Sequence, residues 1–290
     1  GPRGTSVTTN RVIVAAGVGL QGDEGAAVTV IEGKQDPVYA YSTNVIRCCY
    51  LEAGAWIRGF TLRGGAAAAT AGRYGECGGG VVGVTANNKS ATAAIECVFT
   101  NNVACRGNST ADVDLIRCIV YGSGNTSSAG FGDSYNLGRL VDCVFANAAH
   151  AYTLDAVVNC TFDGGQLWAS GKTDWCKDGR NMVFNSIVSL TSMNRMFCNC
   201  VMRYDVATKD GSEYDADCRL YTTVNLDANY RPLATDTNAT DRGRNDYYDT
   251  YFPARWAQFK NGRDFAGGPR SVGSSIDIGA GEFDWNSTPS

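Results

Sequence analysis

The segment Ile95-Glu96-Cys97-Val98-Phe99 shows a pattern that recurs along the chain: an apolar residue, a polar residue, a cysteine and two mostly apolar residues. Further copies lie at 116–120, 141–145, 158–162 and 198–202, a copy with serine instead of cysteine lies at 184–188, and a degenerate copy lies at 57–61. The central residues are roughly 20 positions apart, as in a solenoid in which each turn contributes a short strand. The unequal spacing indicates loops of different length between constant strands.

Alternation within each copy predicts which side chains face the interior. Successive side chains of a strand point to opposite faces, so Ile95, Cys97 and Phe99 are expected on one face and Glu96 on the other. Stacking the copies in register places these residues in rows inside a coil, which predicts an all-β, right-handed parallel β-helix. The cysteine row is a predicted structural ladder of Cys97, Cys118, Cys143, Cys160 and Cys200.

The residue after each central position is expected to face outward, yet it is usually β-branched. The candidate interface stripe formed by these residues contains Val98, Ile119, Val144, Ile187 and Val201, with Thr161 between them. Three explanations are open. The residues could reflect β-propensity alone, the C-terminal segment could pack over them, or another subunit could do so.

Composition limits the classes of function. The 290 residues carry a formal net charge of −4, which argues against nucleic acid as a partner because phosphate binding needs a basic surface. No apolar run reaches the roughly 18 residues of a membrane span. No signal peptide is visible at the start, so a mature or trimmed chain is expected. The high glycine count of 35 suits a coil with many tight corners.

We expect a single elongated domain. Residues 1–204 would form the rungs, with a loop insertion at about 66–80, and residues 205–290 would form an irregular C-terminal segment that packs on the coil. Asn101, Asn147 and Gly164 follow predicted strands. Because asparagine and glycine tolerate left-handed backbone, they are predicted to mark corners of the coil.

The cysteine content allows two interpretations. Twelve cysteines, an even number, favour disulfides and an oxidising compartment. Alternatively, the ladder cysteines are reduced core residues, since a free cysteine packs as a small hydrophobic side chain. The better disulfide candidates lie outside the ladder: Cys48, Cys49, Cys77, Cys105, Cys176, Cys198 and Cys218.

Three phrases of the sequence resemble those of a known group. The tail, 267–270 and 276–283, resembles the "GNPR…DIGAYE" phrase of bacterial secreted right-handed β-helix proteins, which include polymorphic outer-membrane-protein-like and pectate-lyase-like surface proteins. Residues 230–233 resemble their "YRL" phrase, and 56–65 resembles their "LSGFTLRGG" rung. The resemblance implies this fold and a secreted or cell-surface location, and it says little about activity.

This sequence departs from the resemblance in two places. The final Tyr-Glu of the phrase is Gly281-Glu282 here. The usual N-terminal cap is shortened or missing, which would leave an open end on the coil. Open solenoid ends favour stacking or assembly.

Some residues are candidates for binding or cleaving a polysaccharide, as other parallel β-helices do. Lys172, Lys177 and Arg180 are the candidate catalytic bases for a lyase-type reaction. Trp175, Tyr251 and Trp256 are candidate ligand-binding aromatics, with core packing as the alternative for the last two. The NTD, DD, GHG and RIK phrases of polygalacturonase-type hydrolases are absent, and the lone histidine, His150, is expected in a loop.

An acidic run offers candidate ligands for Ca²⁺. It contains Asp205, Asp210, Asp215 and Asp217, and carboxylates are the oxygen ligands that Ca²⁺ prefers. The alternative is a solvated acidic loop. No other cofactor is expected.

The sequence favours a structural protein over an enzyme. We expect an adhesin-like β-helix at the cell surface or secreted, which self-associates end to end into filaments or matrix, or contacts another surface protein. The alternative is a carbohydrate-active enzyme of the lyase type, or a glycan-binding module.

Overall fold

The structure is a computed structural model. It describes residues 8–39, 42–68, 76–86, 89–123, 132–136, 138–153, 156–169, 182–188, 190–192, 196–202, 213–214, 216–244, 264, 268–269 and 275–281. Within these residues the chain forms three parallel sheets of eight, nine and eight strands. Among them there is no helix with the length and hydrophobicity needed to cross a membrane.

The chain visits the three sheets in turn. The first sheet contains β1 (Thr9–Val14), β4 (Ile46–Leu51), β7 (Val81–Gly83), β12 (Thr110–Ala111), β15 (Ser134–Asn136), β18 (Ala151–Thr153), β21 (Gln166–Ala169) and β24 (Leu190–Ser192). The second contains β2 (Gly19–Gln21), β5 (Trp56–Arg58), β10 (Ala93–Ile95), β13 (Asp114–Ile116), β16 (Leu140–Val141), β19 (Val157–Val158), β22 (Met182–Phe184), β25 (Met196–Cys198) and β27 (Glu213–Tyr214). The third contains β3 (Val30–Glu32), β6 (Thr61–Arg63), β11 (Val98–Thr100), β14 (Ile119–Tyr121), β17 (Val144–Ala146), β20 (Thr161–Phe162), β23 (Ile187–Val188) and β26 (Val201–Met202).

One strand from each sheet forms a rung, and each strand pairs in parallel with its counterpart in the next rung. This arrangement confirms the predicted parallel β-helix. A short antiparallel pair, β8 (Thr85–Ala86) and β9 (Lys89–Ser90), projects from the third rung between β7 and β10.

The repeated phrase is a corner between the second and third sheets rather than one strand. Its polar residue has left-handed backbone, with φ of +52° at Glu96 and +50° at Asn159. The equivalent residues also have positive φ: Gly59, Arg117, Asp142, Asn185 and Asn199. Because Arg58 pairs with Ile95, Gly59 is the counterpart of Glu96, so the degenerate copy predicted at 57–61 begins one residue too early. Glycine and asparagine adopt this conformation readily, whereas other residues are held there at a cost of roughly 1–2 kcal/mol.

This corner corrects the prediction for Ile95. The left-handed residue interrupts the alternation, so the side chain that accompanies Cys97 and Phe99 in the core is that of Ala94. Ile95 is only half-buried. The second sheet therefore contributes to the core the row Ile57, Ala94, Leu115, Leu140, Val157, Val183 and Phe197.

A second corner follows the third sheet, where asparagine and glycine were predicted to mark the turns. Asn101, Asn147 and Gly164 have φ of +51°, +53° and +76°, which confirms that prediction. Next to Asn101, the buried Asn102 accepts a hydrogen bond from Gly65 N at 2.9 Å and donates one to Leu62 O at 3.0 Å. Its side chain thus joins two turns of the coil.

The ends of the predicted loop insertion are part of the coil. Ala66 bridges to Val103 and Cys77 bridges to Arg106, both in parallel. The fully buried Arg47 donates to the carbonyl oxygens of Cys77 and Gly78 at 2.8 and 2.7 Å. Burial lowers the pKa of Arg47 to about 10, so the guanidinium keeps its charge at neutral pH. Residues 69–75 of the insertion lie outside the described residues.

The irregular C-terminal segment packs on the outside of the third sheet, as predicted. Ala280 N donates to Thr161 Oγ1 at 3.0 Å, and Gly279 N donates to Asn185 O at 2.8 Å. Residues 239–243 hold this segment in place, since Ile278 N donates to Ala239 O at 2.9 Å.

Candidate functional site

The predicted cysteine ladder is a continuous column inside the coil, and we call it the thiol column. Each Sγ donates to the carbonyl oxygen two residues earlier, for example from Cys143 to Val141 at 3.2 Å and from Cys160 to Val158 at 3.3 Å. Ser186 occupies the same position, and its Oγ donates to Phe184 O at 2.6 Å. These carbonyl oxygens also accept a backbone hydrogen bond from the preceding rung, for example Val141 O from Arg117 N at 2.9 Å. The column thus adds a second hydrogen bond at the corner.

Burial disfavours ionisation of four thiols of the column. It raises the pKa of Cys97, Cys118, Cys143 and Cys200 well above the ordinary range of a thiol. The thiolate is the nucleophilic form of cysteine, and it is disfavoured at these positions. These thiols pack in the core of the coil.

Cys218 belongs to the thiol column, although the sequence placed it outside. Its Sγ donates to Phe197 O at 3.4 Å and accepts a hydrogen bond from Cys200 N at 3.4 Å. Arg219, next along the chain, bridges in parallel to Val201. The coil therefore continues past residue 204. The phrase Ala216-Asp217-Cys218-Arg219-Leu220 fits the repeat, but it follows an acidic run that obscured it.

The described cysteines that were the better candidates for disulfides are not joined in disulfides. They are Cys48, Cys49, Cys77, Cys105, Cys198 and Cys218. The disulfide prediction does not hold for these residues, and Cys176 lies outside the described part of the chain. Burial raises the pKa of Cys48 to about 12, as expected for a thiol that packs as an apolar side chain.

Much of the interface stripe is covered by the chain itself. Ile187 and Val201 pack with Ala239 and Ile278 in one cluster. In a second cluster, Val144 packs with Ala280, and the half-buried Ile119 lies against it. Val98, nearer the N-terminal end, is half-buried. Along these rungs the stripe is an interface within one chain, which matches the second of the three explanations.

Most of the residues proposed for catalysis, sugar binding and Ca²⁺ lie outside the described residues. They are Lys172, Trp175, Lys177, Arg180, Asp205, Asp210, Asp215, Tyr251 and Trp256. Asp217 is described, and it is ion-paired with Arg244 at 2.5 Å. No group of three or more His, Cys, Asp or Glu side chains in the described parts of the chain is placed to hold a metal ion.

An aromatic row on the outside of the first sheet was not predicted. Tyr135, Tyr152 and Trp168 occupy one register position on β15, β18 and β21. The two tyrosine rings stack at 5.2 Å, and Trp168 stacks on His150 at 5.8 Å. The strands of this sheet lack the cysteine phrase, so only the recurrence of one aromatic residue per turn could have revealed the row.

His150 is held between β15 and β21 by two hydrogen bonds. Its Nδ1 accepts a hydrogen bond from Gln166 N at 3.3 Å, and it is the backbone N of His150, not the ring, that donates to Asp133 Oδ2 at 3.1 Å.

The core is only partly covered at the first rung, formed by β1, β2 and β3. Each of these strands pairs on one side only, with β4, β5 or β6, and is the last in its sheet. Val12 and Leu20 face the core but remain half-buried, whereas their register partners in the second rung, Cys49 and Ile57, are completely buried. The described residues thus leave the end of the core partly open.

Exposed apolar side chains are concentrated near this open end. Ile13, Val18, Val28 and Val30 are 42–60% exposed, and all four belong to the first turn of the coil. A groove of about 480 Å³ lies between β1 and β3, with Val12, Val30 and Ile31 in its walls and with Arg11 and Glu32 also lining it. We take the first rung, with its unpaired strand edges and this groove, as the candidate functional site.

No family model, no curated protein and no solved structure matches this chain.

Proposed function

We propose that this chain is a structural, adhesin-like β-helix protein, secreted or at the cell surface, that acts by associating through its first rung. The open end of the core supports the proposal: among the described residues, three strand edges without a neighbouring strand, half-buried core residues and exposed apolar side chains lie together there. An exposed strand edge is a template on which another chain can pair.

The resemblance of the tail and of residues 56–65 to bacterial surface proteins supports the proposed location. The buried thiols are compatible with it, since a thiol with a raised pKa resists oxidation. No disulfide is needed for this chain to persist outside the cell, because stacked rungs bury a continuous core.

Light scattering across a range of protein concentrations tests the proposal. Association predicts a mass that rises above the 30.8 kDa of one chain, and electron microscopy of the same sample should show ordered particles. A mass that stays at one chain up to high concentration would overturn it.

A second candidate function is glycan binding, which the pairing of Trp168 with His150 favours. Both rings are half-exposed on the outer face of the first sheet, and a sugar ring can stack on an aromatic face. The test is binding of the chain to a polysaccharide panel, with Trp168→Ala beside Trp56→Ala, a change at another half-exposed tryptophan. Equal binding by the two variants would argue against this surface.

A further inference from the structure

The two ends of the coil are not equivalent. At the first rung, the edges of β1, β2 and β3 have no neighbouring described strand. At the other end, β24 and β27 are likewise the last described strands of their sheets. The edge of β26, however, is occupied by the chain itself, since Arg219 N donates to Cys200 O at 2.8 Å and Met202 N donates to Arg219 O at 2.9 Å. Head-to-tail growth needs two complementary open ends, whereas a twofold dimer needs only one.

We propose that the first rung binds the first rung of a second copy, head to head, in a closed twofold dimer. This inference rests on the proposed association and names its partner. A twofold axis through the middle of the first sheet would place β1 antiparallel to β1 of the second copy. The same rotation exchanges the other two sheets, so β2 of one copy would meet β3 of the other, also antiparallel.

The side chains of the first rung suit this pairing. Core-facing residues must meet core-facing residues, because a shift by one position would turn a whole row to the other face. Centring the pair on Val12 satisfies this condition: Val12 meets Val12 of the second copy, and Leu20 meets Ile31. The half-buried Val12 and Leu20 would then be covered, as their counterparts in the second rung are.

The outward-facing side chains also avoid repulsion in this register. Arg11 of one copy lies opposite Ile13 of the other, and Glu32 lies opposite Gly19. No position places two like charges across the junction, an arrangement that would destabilise a strand pair. Ile13 is 49% exposed in the single chain and would be partly covered by the aliphatic part of Arg11.

In this register, a positive charge introduced at position 13 should weaken the dimer. Ile13→Arg would place two arginines opposite each other at two symmetric positions, and should weaken the dimer by about tenfold or more. Adding Arg11→Glu to that variant pairs opposite charges across the junction and should restore dimer formation. Leu233→Arg is the matched control, because it adds the same charge at an exposed apolar residue of the C-terminal segment.

Sedimentation equilibrium of these variants of the full chain measures the effect. The expected result is a dimer of twice 30.8 kDa for the parent, the Leu233→Arg control and the double variant, with the Ile13→Arg variant shifted to monomer. Circular dichroism checks that each variant is folded.

Two other outcomes are distinguishable. Species that keep growing with concentration, or equal effects of Ile13→Arg and Leu233→Arg, would overturn the twofold pairing but leave the proposed association intact. A parent chain that is monomeric throughout would overturn both.

Discussion

At the scale of single residues, the fold depends on how the corner between the second and third sheets is built. Glu96 has left-handed backbone at φ of +52°, and its carboxylate accepts hydrogen bonds from Arg58 at 2.6 Å and Arg117 at 2.8 Å. At the equivalent place in other rungs, Asn159 donates to Asp142 at 3.1 Å and Asn199 donates to Asn185 at 2.8 Å. Hydrogen bonds between rungs thus offset the unfavourable backbone of the corner.

Replacement of Ser186 tests the role of the thiol column. Ser186→Ala removes the bond to Phe184 O and the acceptor for Cys160 N, so the free energy of unfolding should fall by about 1–3 kcal/mol. Ser186→Cys introduces the thiol found in the other rungs, so it should lower the free energy of unfolding by less than Ser186→Ala does. Urea denaturation measures both. Equal losses would show that the hydrogen bonds of this column do not stabilise the corner.

At the scale of an element, the thiol column makes stability depend on pH in the alkaline range. Burial raises the pKa of Cys97, Cys118, Cys143 and Cys200, whereas an unfolded thiol titrates near about 8.5. Above that pH the unfolded chain binds fewer protons than the folded chain, so stability must fall as pH rises. Once the thiol is ionised in the unfolded chain, each such thiol lowers the free energy of unfolding by about 1.4 kcal/mol per pH unit.

The variant Cys143→Ser isolates one of these contributions. Serine keeps a hydroxyl donor, as at Ser186, but does not ionise in this range. The urea midpoint of the variant should therefore fall less steeply between pH 8 and 10 than that of the parent chain. Parallel pH profiles would show that Cys143 does not hold its proton in the folded state.

The C-terminal segment is a second element whose contribution can be measured. Ile278 is completely buried in a cluster with Ile187, Val201 and Ala239. Ile278→Ala should lower the free energy of unfolding by about 2–5 kcal/mol because it leaves a cavity, and limited proteolysis should then cut 216–244 faster. The control Leu233→Ala, at a residue 38% exposed, should change stability by less than about 0.5 kcal/mol.

The sequence predicted the cysteine repeat and the packing of the C-terminal segment, and it missed features whose residues vary between rungs. The cysteine phrase recurs, so the parallel β-helix and the column through Cys97 and Cys143 could be read from spacing. The inward position of Ala94 could not be predicted from the sequence. Glu96 and its equivalents differ in residue type, so no single residue marks their left-handed backbone. The aromatic row through Tyr135 was missed because its strands lack the cysteine phrase, and the place of Cys218 was missed because an acidic run precedes it.

At the scale of the whole molecule, the described residues form a coil that is covered along part of its length and open at its first rung. The C-terminal segment buries Val144, Ile187 and Val201 of the stripe. The first rung keeps unpaired edges and a groove of about 480 Å³. An interaction through the end of the coil is therefore better supported than one through the stripe, and this distinction could not be made from the sequence, where both surfaces remained candidates.

Hydrogen–deuterium exchange at low and high protein concentration tests this account most directly, because it locates the contact as well as detecting it. The account predicts that uptake in peptides covering 9–14, 19–21 and 30–32 slows as concentration rises, while peptides covering 98–100 and 119–121 are unchanged. Unchanged uptake at the first rung, in a sample whose mass increases with concentration, would contradict the claim that this chain associates through the open end of its coil.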